Sequence, residues 1–197
     1  IAIDNIMLDR LKRDRTRFYQ DRGQDVQTRG RKDTALRYTV TSAVMKPGPD
    51  VLRKANEPVP RRVSDFYLQL PPSMDVKKDC KPEITPRPKS CAVPDIAAKI
   101  TEDKDTNFDR VRAIATYVRG KHKYSTEGGH DLDSPVGDFL TEKKWGHCEY
   151  FASAMVLMLR SLNIPARPAN GFFGGAFNHY GNYYAVRQAD AHSWVEV

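Results

Sequence analysis

Apolar residues recur at helical intervals in the second half of the chain. Asn107 can cap a helix that ends at Gly120, and the apolar positions between them have a period near 3.6: Phe108, Val111, Ile114, Ala115 and Val118. Ser134-Pro135 has the form of a cap followed by a proline in the first turn. It predicts a second, short helix that runs through Leu140.

The residues that follow predict a buried helix and then a sheet. Residues 150–162 are apolar on nearly every face, which is typical of a buried helix, and Pro165 lies just beyond its end. Alternation and β-branched residues then predict three strands, over 166–173, 182–188 and 191–197. Helices that precede strands in this order predict an α+β domain.

The first half of the chain gives different signals. Residues 4–20 fit a charged helix, and the alternation over 36–41 predicts a strand. Ten of the thirteen prolines lie between Pro47 and Pro94. Because proline fixes φ and lacks an N–H, this stretch predicts extended connections with little helix. We therefore predict an N-terminal helix and strand extension over 1–63, a proline-rich connection over 64–94 and a core domain over 95–197.

The net charge of +7 and the pI near 9.3 raise the question of an anionic partner. The first forty residues hold ten Lys or Arg against six Asp, and acidic residues interrupt every basic cluster. No nucleic-acid-binding motif accompanies them. We expect a solvated helical face, with an anionic surface such as membrane phospholipid as the alternative, and no nucleic acid partner. No apolar run reaches the ~20 residues that cross a bilayer.

Two of the three cysteines lie close together in the proline-rich stretch. Cys80 and Cys91 are either paired in a disulfide or present as two free thiols. A disulfide would close a short loop, contribute about 3 kcal/mol by the chain-entropy model, and indicate an oxidising compartment.

Cys148 differs in kind, because it comes directly before the predicted buried helix. At a helix N-terminus the unpaired N–H groups and the macrodipole favour a thiolate, and the same groups can stabilise an oxyanion. The alternative is a buried structural cysteine.

A nucleophilic cysteine needs a base, and His192 is the best placed of the five histidines. It lies in a strand-like setting, whereas His147 adjoins Cys148 and would point about 100° away from it on a helix. The alternative for His192 is a structural histidine on a sheet. The histidines are scattered and no CxxC or HxxxH spacing occurs, so we expect no metal site.

Several blocks in the same order resemble bacterial transglutaminase-like proteins, and most strongly their membrane-anchored TgpA type. The likeness is dense over 134–197 and thin over 36–133. Its blocks read GHCEYFASA from Gly146, LRSLNIPAR from Leu159, GFFGG from Gly171 and VRQADAHSWVEV from Val186. Weaker likeness covers VGDFL from Val136 and FYLQLP from Phe66.

This resemblance implies a papain-like core with a Cys-His-Asp triad, in which Cys148 and His192 take the first two roles. In the family the Asp lies on the strand after the histidine. We therefore expect the Asp to lie beyond Val197, so that the core over 95–197 ends before the third member of the triad. Glu196 is the one acidic residue after His192, and the family does not use the position of Asp190.

The resemblance also implies a setting. Both ends of the sequence read as the interior of a longer chain, which we expect to be anchored in the membrane. The domain is then extracytoplasmic, either periplasmic or at the cell surface. It needs no cofactor, and it acts on protein or peptide substrates such as cell-envelope proteins.

The implied reaction is thiol-dependent acyl transfer from protein or peptide carboxamides through an acyl-enzyme. An amine acceptor gives the glutamine γ-glutamyltransferase reaction, whereas water gives amidase or protease activity. The alternative from another class is a non-catalytic interaction domain on the same fold.

Overall fold

The computed structural model describes residues 17–20, 26–29, 46–55, 58–74, 80–81 and 83–197. The chain divides into two units, Ile1–Lys46 and Pro47–Val197, which we treat separately.

The first unit contains a β-hairpin in the described residues. Strand β1 (Arg17–Gln20) pairs antiparallel with β2 (Val26–Arg29), and Phe18 is opposite Thr28. The helix predicted over 4–20 is therefore wrong at 17–20, since aromatic and β-branched residues in both segments favour strands. Residues 4–16 of that helix and the strand predicted over 36–41 lie outside the described residues.

The proline-rich stretch contains helices, contrary to the prediction of extended connections. They are α1 (Pro49–Arg53), α2 (Arg61–Tyr67) and the start of α3 (Ala92–Thr101), with single 3₁₀ turns at Pro72–Met74 and Lys89–Cys91. Several of the described prolines stand at the beginnings of these elements. Pro49 is the first residue of α1, and Pro60 precedes α2. At such positions the missing N–H has no partner to lose and the fixed φ suits a helix.

The predicted middle helices are confirmed. Helix α4 (Asn107–Lys121) begins at Asn107, the residue expected to cap it. The N-cap is Thr106, one residue earlier, and its Oγ1 accepts a hydrogen bond from Asp109 N–H at 3.1 Å. After β3 (Lys123–Tyr124), the Ser134-Pro135 signal opens α5 (Pro135–Asp138), which continues into one π-helical turn at Phe139–Lys143.

The buried helix predicted over 150–162 is α6 (Cys148–Ser161), and it follows the short strand β4 (Trp145–Gly146), which pairs parallel with β3. Helix α6 packs against α3 and α4. Among the described residues, the core that these helices share contains Met74, Val93, Ala97, Ile114, Val118, Phe139, Leu140, Ala154, Val156, Met158, Leu159, Ile164 and Ala166.

The C-terminal region contains the three predicted strands, one of them shorter than expected, and one further strand. Strand β5 (Arg167–Phe172) pairs antiparallel with β8 (Ala191–Glu196), so that Arg167 is opposite Glu196 and Phe172 opposite Ala191. The predicted strand 182–188 is shorter, as β7 (Tyr183–Ala185). It forms a hairpin with the unforeseen β6 (Ala176–Asn178). Gly174 and Gly175, at φ 92° and 132°, turn the chain from β5 toward β6.

The helices and strands together make the α+β class that the sequence predicted. Cys80 and Cys91 form a disulfide, and both side chains are buried. Within the described residues, no helix is both long and apolar enough to span a bilayer.

Candidate active site

Cys148 is the first residue of α6, as predicted, and its side chain is half-buried. The preceding residue, His147, has an extended backbone with φ −88° and occupies the N-cap position. Its side chain makes no capping hydrogen bond to the helix. N–H groups of the first helical turn therefore remain available beside the thiol. Because the other two cysteines of these 197 residues form the disulfide, Cys148 is the one free thiol among them.

A close backbone packing holds the residues that precede Cys148. The carbonyl of Gly146 accepts a hydrogen bond from Ser125 N–H at 2.9 Å, beside the pairing of β4 with β3. A Cβ at Gly146 would lie 2.9 Å from Tyr150 Cδ2 and 3.0 Å from Tyr150 Cβ. Only glycine lets the first turn of α6 approach so closely, so the turn that carries Cys148 is fixed by the core around it.

Two buried polar residues, His130 and Asp138, lie behind the first turn of α6, and neither was among the site residues predicted from the sequence. The His130 ring lies 4.1 Å from the Tyr150 ring and 4.7 Å from the Trp145 ring, measured between centroids. Its Nδ1 is 3.4 Å from Asp138 Oδ2, and both side chains are almost fully buried. The same Asp138 oxygen accepts a hydrogen bond from Asp131 N–H at 3.1 Å. The only signal was the weak family likeness of the block that contains Asp138.

His122 and His179 make contacts of their own. His122 is buried, stacks on Phe139 at 4.3 Å and places Nδ1 3.1 Å from the Val118 carbonyl oxygen. Burial lowers the pKa of His122, so its imidazole is neutral near pH 7. His179 lies in the β6–β7 hairpin against Phe177. The described residues include no group of three or more His, Cys, Asp or Glu side chains that could hold a metal ion.

His192 is the second residue of β8, where it is opposite Gly171 of β5. Its side chain is half-buried, and its ring lies 5.7 Å from the Phe173 ring. The pairing of β8 with β5 holds the backbone of His192, and the exposed aromatic ring of Phe173 lies beside the imidazole.

The topology brings Cys148 and His192 to the same end of the helix and sheet layer. Helix α6 packs on β5 and β8, and its C-terminal end is tied to the start of β5 by Arg160 Nε, which donates to the Ala166 carbonyl at 2.8 Å. The fourteen residues of α6 span ~21 Å, and the six residues of β5 return over ~20 Å. Because β8 is antiparallel to β5, its first residues lie at the end where α6 begins.

The two acids nearest to His192 in the sequence are engaged elsewhere. Glu196 lies at the opposite end of β8 and pairs with Arg167, with Nε and Oε2 2.7 Å apart. Asp190 Oδ2 accepts a hydrogen bond from Arg187 N–H at 2.7 Å and closes the turn before β8. Neither carboxylate therefore serves as an orienting group for His192 in this arrangement.

Residues 94–197, which carry both Cys148 and His192, match the family model of the transglutaminase-like superfamily. The chain belongs to this superfamily. The resemblance noted from the sequence blocks is thereby confirmed, and it extends to the fold. The periplasmic domain of TgpA from Pseudomonas aeruginosa, solved with bound ethylmercury, is 28% identical with a TM-score of 0.58. The match covers 74% of this chain and 46% of that one.

Two curated relatives match by sequence. The uncharacterized protein YebA of Bacillus subtilis is 40% identical over 143 residues, which are 68% of this chain and 17% of YebA. A protein-glutamine gamma-glutamyltransferase of Pseudomonas aeruginosa is 49% identical over 61 residues, which are 31% of this chain and 9% of that protein. The chain thus spans a small part of the curated relatives it matches and under half of the TgpA periplasmic domain.

Proposed function

We propose that this protein is a cysteine acyltransferase that acts on the side-chain carboxamide of glutamine in proteins or peptides. Cys148 is the nucleophile and His192 the general base and acid. The observation that carries the proposal is the free, half-buried thiol at the start of α6, with the histidine-bearing strand packed on the same helix at the same end.

The proposed first step forms a thioester. His192 takes the proton of the Cys148 thiol, the sulfur adds to the carboxamide carbon, and N–H groups of the first turn of α6 stabilise the oxyanion. Collapse of this intermediate breaks the C–N bond. The leaving nitrogen takes a proton from His192 and departs as ammonia, which leaves the acyl group on sulfur.

The second step consumes the thioester. A primary amine attacks the acyl carbon and His192 accepts its proton. The C–S bond then breaks, and the sulfur takes that proton from His192 to become the thiol again. The product is a substituted carboxamide, which is an isopeptide bond where the amine is a lysine side chain. We propose an amine acceptor because the relative that is 49% identical over 61 residues is a protein-glutamine gamma-glutamyltransferase. Water at the same step would give deamidation, and attack on a backbone amide would give proteolysis.

A third residue must hold the His192 ring in the productive tautomer. We propose that it is an aspartate on a strand after Val197, as the family resemblance implies. The engagement of Glu196 with Arg167 and of Asp190 with Arg187 N–H supports this choice.

We also propose an extracytoplasmic location in a membrane-anchored parent protein. The related TgpA structures are of a periplasmic domain. The disulfide between Cys80 and Cys91 supports the same compartment, because disulfides persist in oxidising environments.

The test is an amine-incorporation assay on the full-length protein, with a small glutamine donor, a fluorescent primary amine and a parallel ammonia measurement. Cys148→Ala and His192→Gln should each reduce turnover to near background, because members of a catalytic unit fail together. His147→Gln is the matched control and should keep most of the activity. Full activity in Cys148→Ala would refute the assignment.

The same assay separates the possible reactions. Ammonia release without amine incorporation identifies a deamidase, and new peptide termini identify a protease. A non-catalytic domain would show neither, and its Cys148 would react with iodoacetamide at pH 7 no faster than an ordinary thiol. The difference in labelling rate between the unsubstituted protein and Cys148→Ala reports on Cys148.

A further inference from the structure

An uncharged aromatic segment lies beside the proposed general base. Residues 172–186 contain six Phe or Tyr and no Asp, Glu, Lys or Arg, in a chain of which 29% is charged. This segment, which we call the aromatic hairpin, holds β6, β7 and the turns on either side. Neither the catalytic assignment nor the core packing accounts for its composition.

The aromatic hairpin emerges at the end of the sheet that carries His192. Phe172 and Ala191 form the last registered pair of β5 and β8. Beyond them, Phe173 N–H donates to the Asp190 carbonyl at 2.8 Å, and the Phe173 ring lies 5.7 Å from His192. The surface of the hairpin is therefore continuous with the candidate active site.

The rings of the aromatic hairpin are largely exposed. Phe173 is 78% exposed, Tyr184 67%, and Tyr180 at the tip is fully exposed. Phe177 and Tyr184 are opposite each other in the register, with ring centroids 4.9 Å apart. Contiguous exposed aromatic side chains mark interaction surfaces, because they bury a large area at a small cost in side-chain entropy.

We propose that the aromatic hairpin docks the polypeptide that carries the reactive glutamine, and that it selects uncharged, apolar or aromatic residues beside that glutamine. This inference rests on the proposed function. The charge of the surface decides the chemistry of its partner. A charged side chain buried against residues 172–186 would lose its hydration and meet no counter-ion, whereas an apolar one would gain contact area.

The absence of charged residues from the aromatic hairpin also disfavours a nucleic acid as its partner. Nucleic acid binding surfaces add Lys or Arg to aromatic residues, because each phosphate contact needs a cation, and residues 172–186 have none.

The experiment compares three glutamine donors with the full-length protein. One peptide has Phe, Val and Tyr around the glutamine, and its matched partner has Glu and Lys at those positions. The third donor, N-acetyl-glutamine N-methylamide, has no flanking side chains. We expect kcat/KM to be at least tenfold higher for the apolar peptide than for the charged one. Equal values would overturn the proposal.

Variants assign that preference to the aromatic hairpin. Phe177→Ser with Tyr184→Ser should lower kcat/KM at least tenfold for the apolar peptide and leave the small donor within about twofold, as expected where no contact is lost. Leu132→Ser, which changes an exposed apolar residue outside the hairpin, is the control and should alter neither. An equal loss with both donors would show a structural role for these rings and refute docking.

A second variant covers the case in which the double variant fails to fold. Tyr180 is fully exposed, so Tyr180→Glu removes no packing. It should lower kcat/KM for the apolar peptide. Of two further peptides, one with Lys and one with Glu at every flanking position, the Lys-flanked peptide should become the better donor. If the order of the apolar, Lys-flanked and Glu-flanked peptides is the same as with the unsubstituted protein, the proposal is contradicted.

Binding separates this inference from the proposed chemistry. Titration of the peptides into the full-length Cys148→Ala protein measures docking without turnover, and the apolar peptide should bind at least tenfold more tightly than the charged one. If that preference holds while the unsubstituted protein shows no acyl transfer, docking stands and the proposed reaction fails. Two other results would refute docking: dimers that Tyr184→Ser dissolves, or binding to lipid vesicles that this variant abolishes while peptide binding is unaffected.

Discussion

Cys148 begins a helix in which every residue after Glu149 is at least half-buried, whereas His192 lies on a two-stranded sheet with exposed aromatic neighbours. Two glycines show the difference. A Cβ at Gly146 would meet Tyr150 Cβ, which the helix backbone fixes, while a Cβ at Gly171 would meet Trp194 Cη2, the far end of a 39% exposed side chain. The core thus fixes the proposed nucleophile, and the proposed base lies on a surface that can adapt to a substrate.

The largest effect on turnover is expected from a substitution that disturbs the packing around Cys148. Gly146→Ala should displace the first turn of α6 and lower the turnover of a small glutamine donor by about 100-fold, because a misplacement near 1 Å can cost that much. The measurement is kcat in the amine-incorporation assay. Gly120→Ala is the control, since its Cβ would meet nothing within 4 Å and alanine favours a helix. Normal turnover in Gly146→Ala would contradict the claim that this packing positions Cys148.

The next prediction concerns how the stability of the packed helical region depends on pH. Burial holds the pKa of His122 below its ordinary value, so the unfolded chain binds a proton more readily than the folded protein as the pH falls below ~6.5. The stability that neutral His122 contributes is therefore complete above about pH 6.5 and declines as the pH falls toward the lowered folded pKa. When the pH is lowered from 7.5 to 5, the free energy of unfolding should fall less in His122→Phe than in the unsubstituted protein.

Urea denaturation at several pH values measures this difference, and other titrating groups cancel when the two proteins are compared. The Phe ring keeps the stack on Phe139 that His122 makes at 4.3 Å. His122→Gln is the second variant if the larger ring disturbs packing. Identical pH profiles in the substituted and original proteins would disprove the link between this burial and acid stability.

The smallest effect on turnover is expected from a substitution in the two-stranded sheet that carries His192. In Gly171→Ala the Trp194 ring should swing outward, so turnover should change by no more than about twofold, as for most surface substitutions. Tryptophan emission should shift to longer wavelength as the ring becomes more exposed. A loss as large as that predicted for Gly146→Ala would mean that the sheet is as rigid as the helix, and the comparison would fail.

Elements whose stability is local or repeated along the chain were predictable. The apolar runs of α4 and α6 and the Ser134-Pro135 start of α5 each carry their own periodicity or cap, although the cap of α4 is Thr106 and not the predicted Asn107. The helices of the proline-rich stretch were missed because proline reads as a breaker, while its effect depends on where it falls in a turn. Strand β6 was missed because Ala176–Asn178 is too short to show alternation.

The sequence by itself determined the α+β class, the family and the place of Cys148 at a helix N-terminus, since these follow from periodicity, caps and residue blocks. It also left the pairing of Cys80 with Cys91 open, because spacing sets the size of a loop and not whether two sulfurs meet. Only the tertiary structure decided that pairing, the burial of His130 against Asp138, and the return of β8 along α6 that brings His192 to the end where Cys148 lies. Each of these depends on contacts between residues far apart in the chain, which local patterns do not encode.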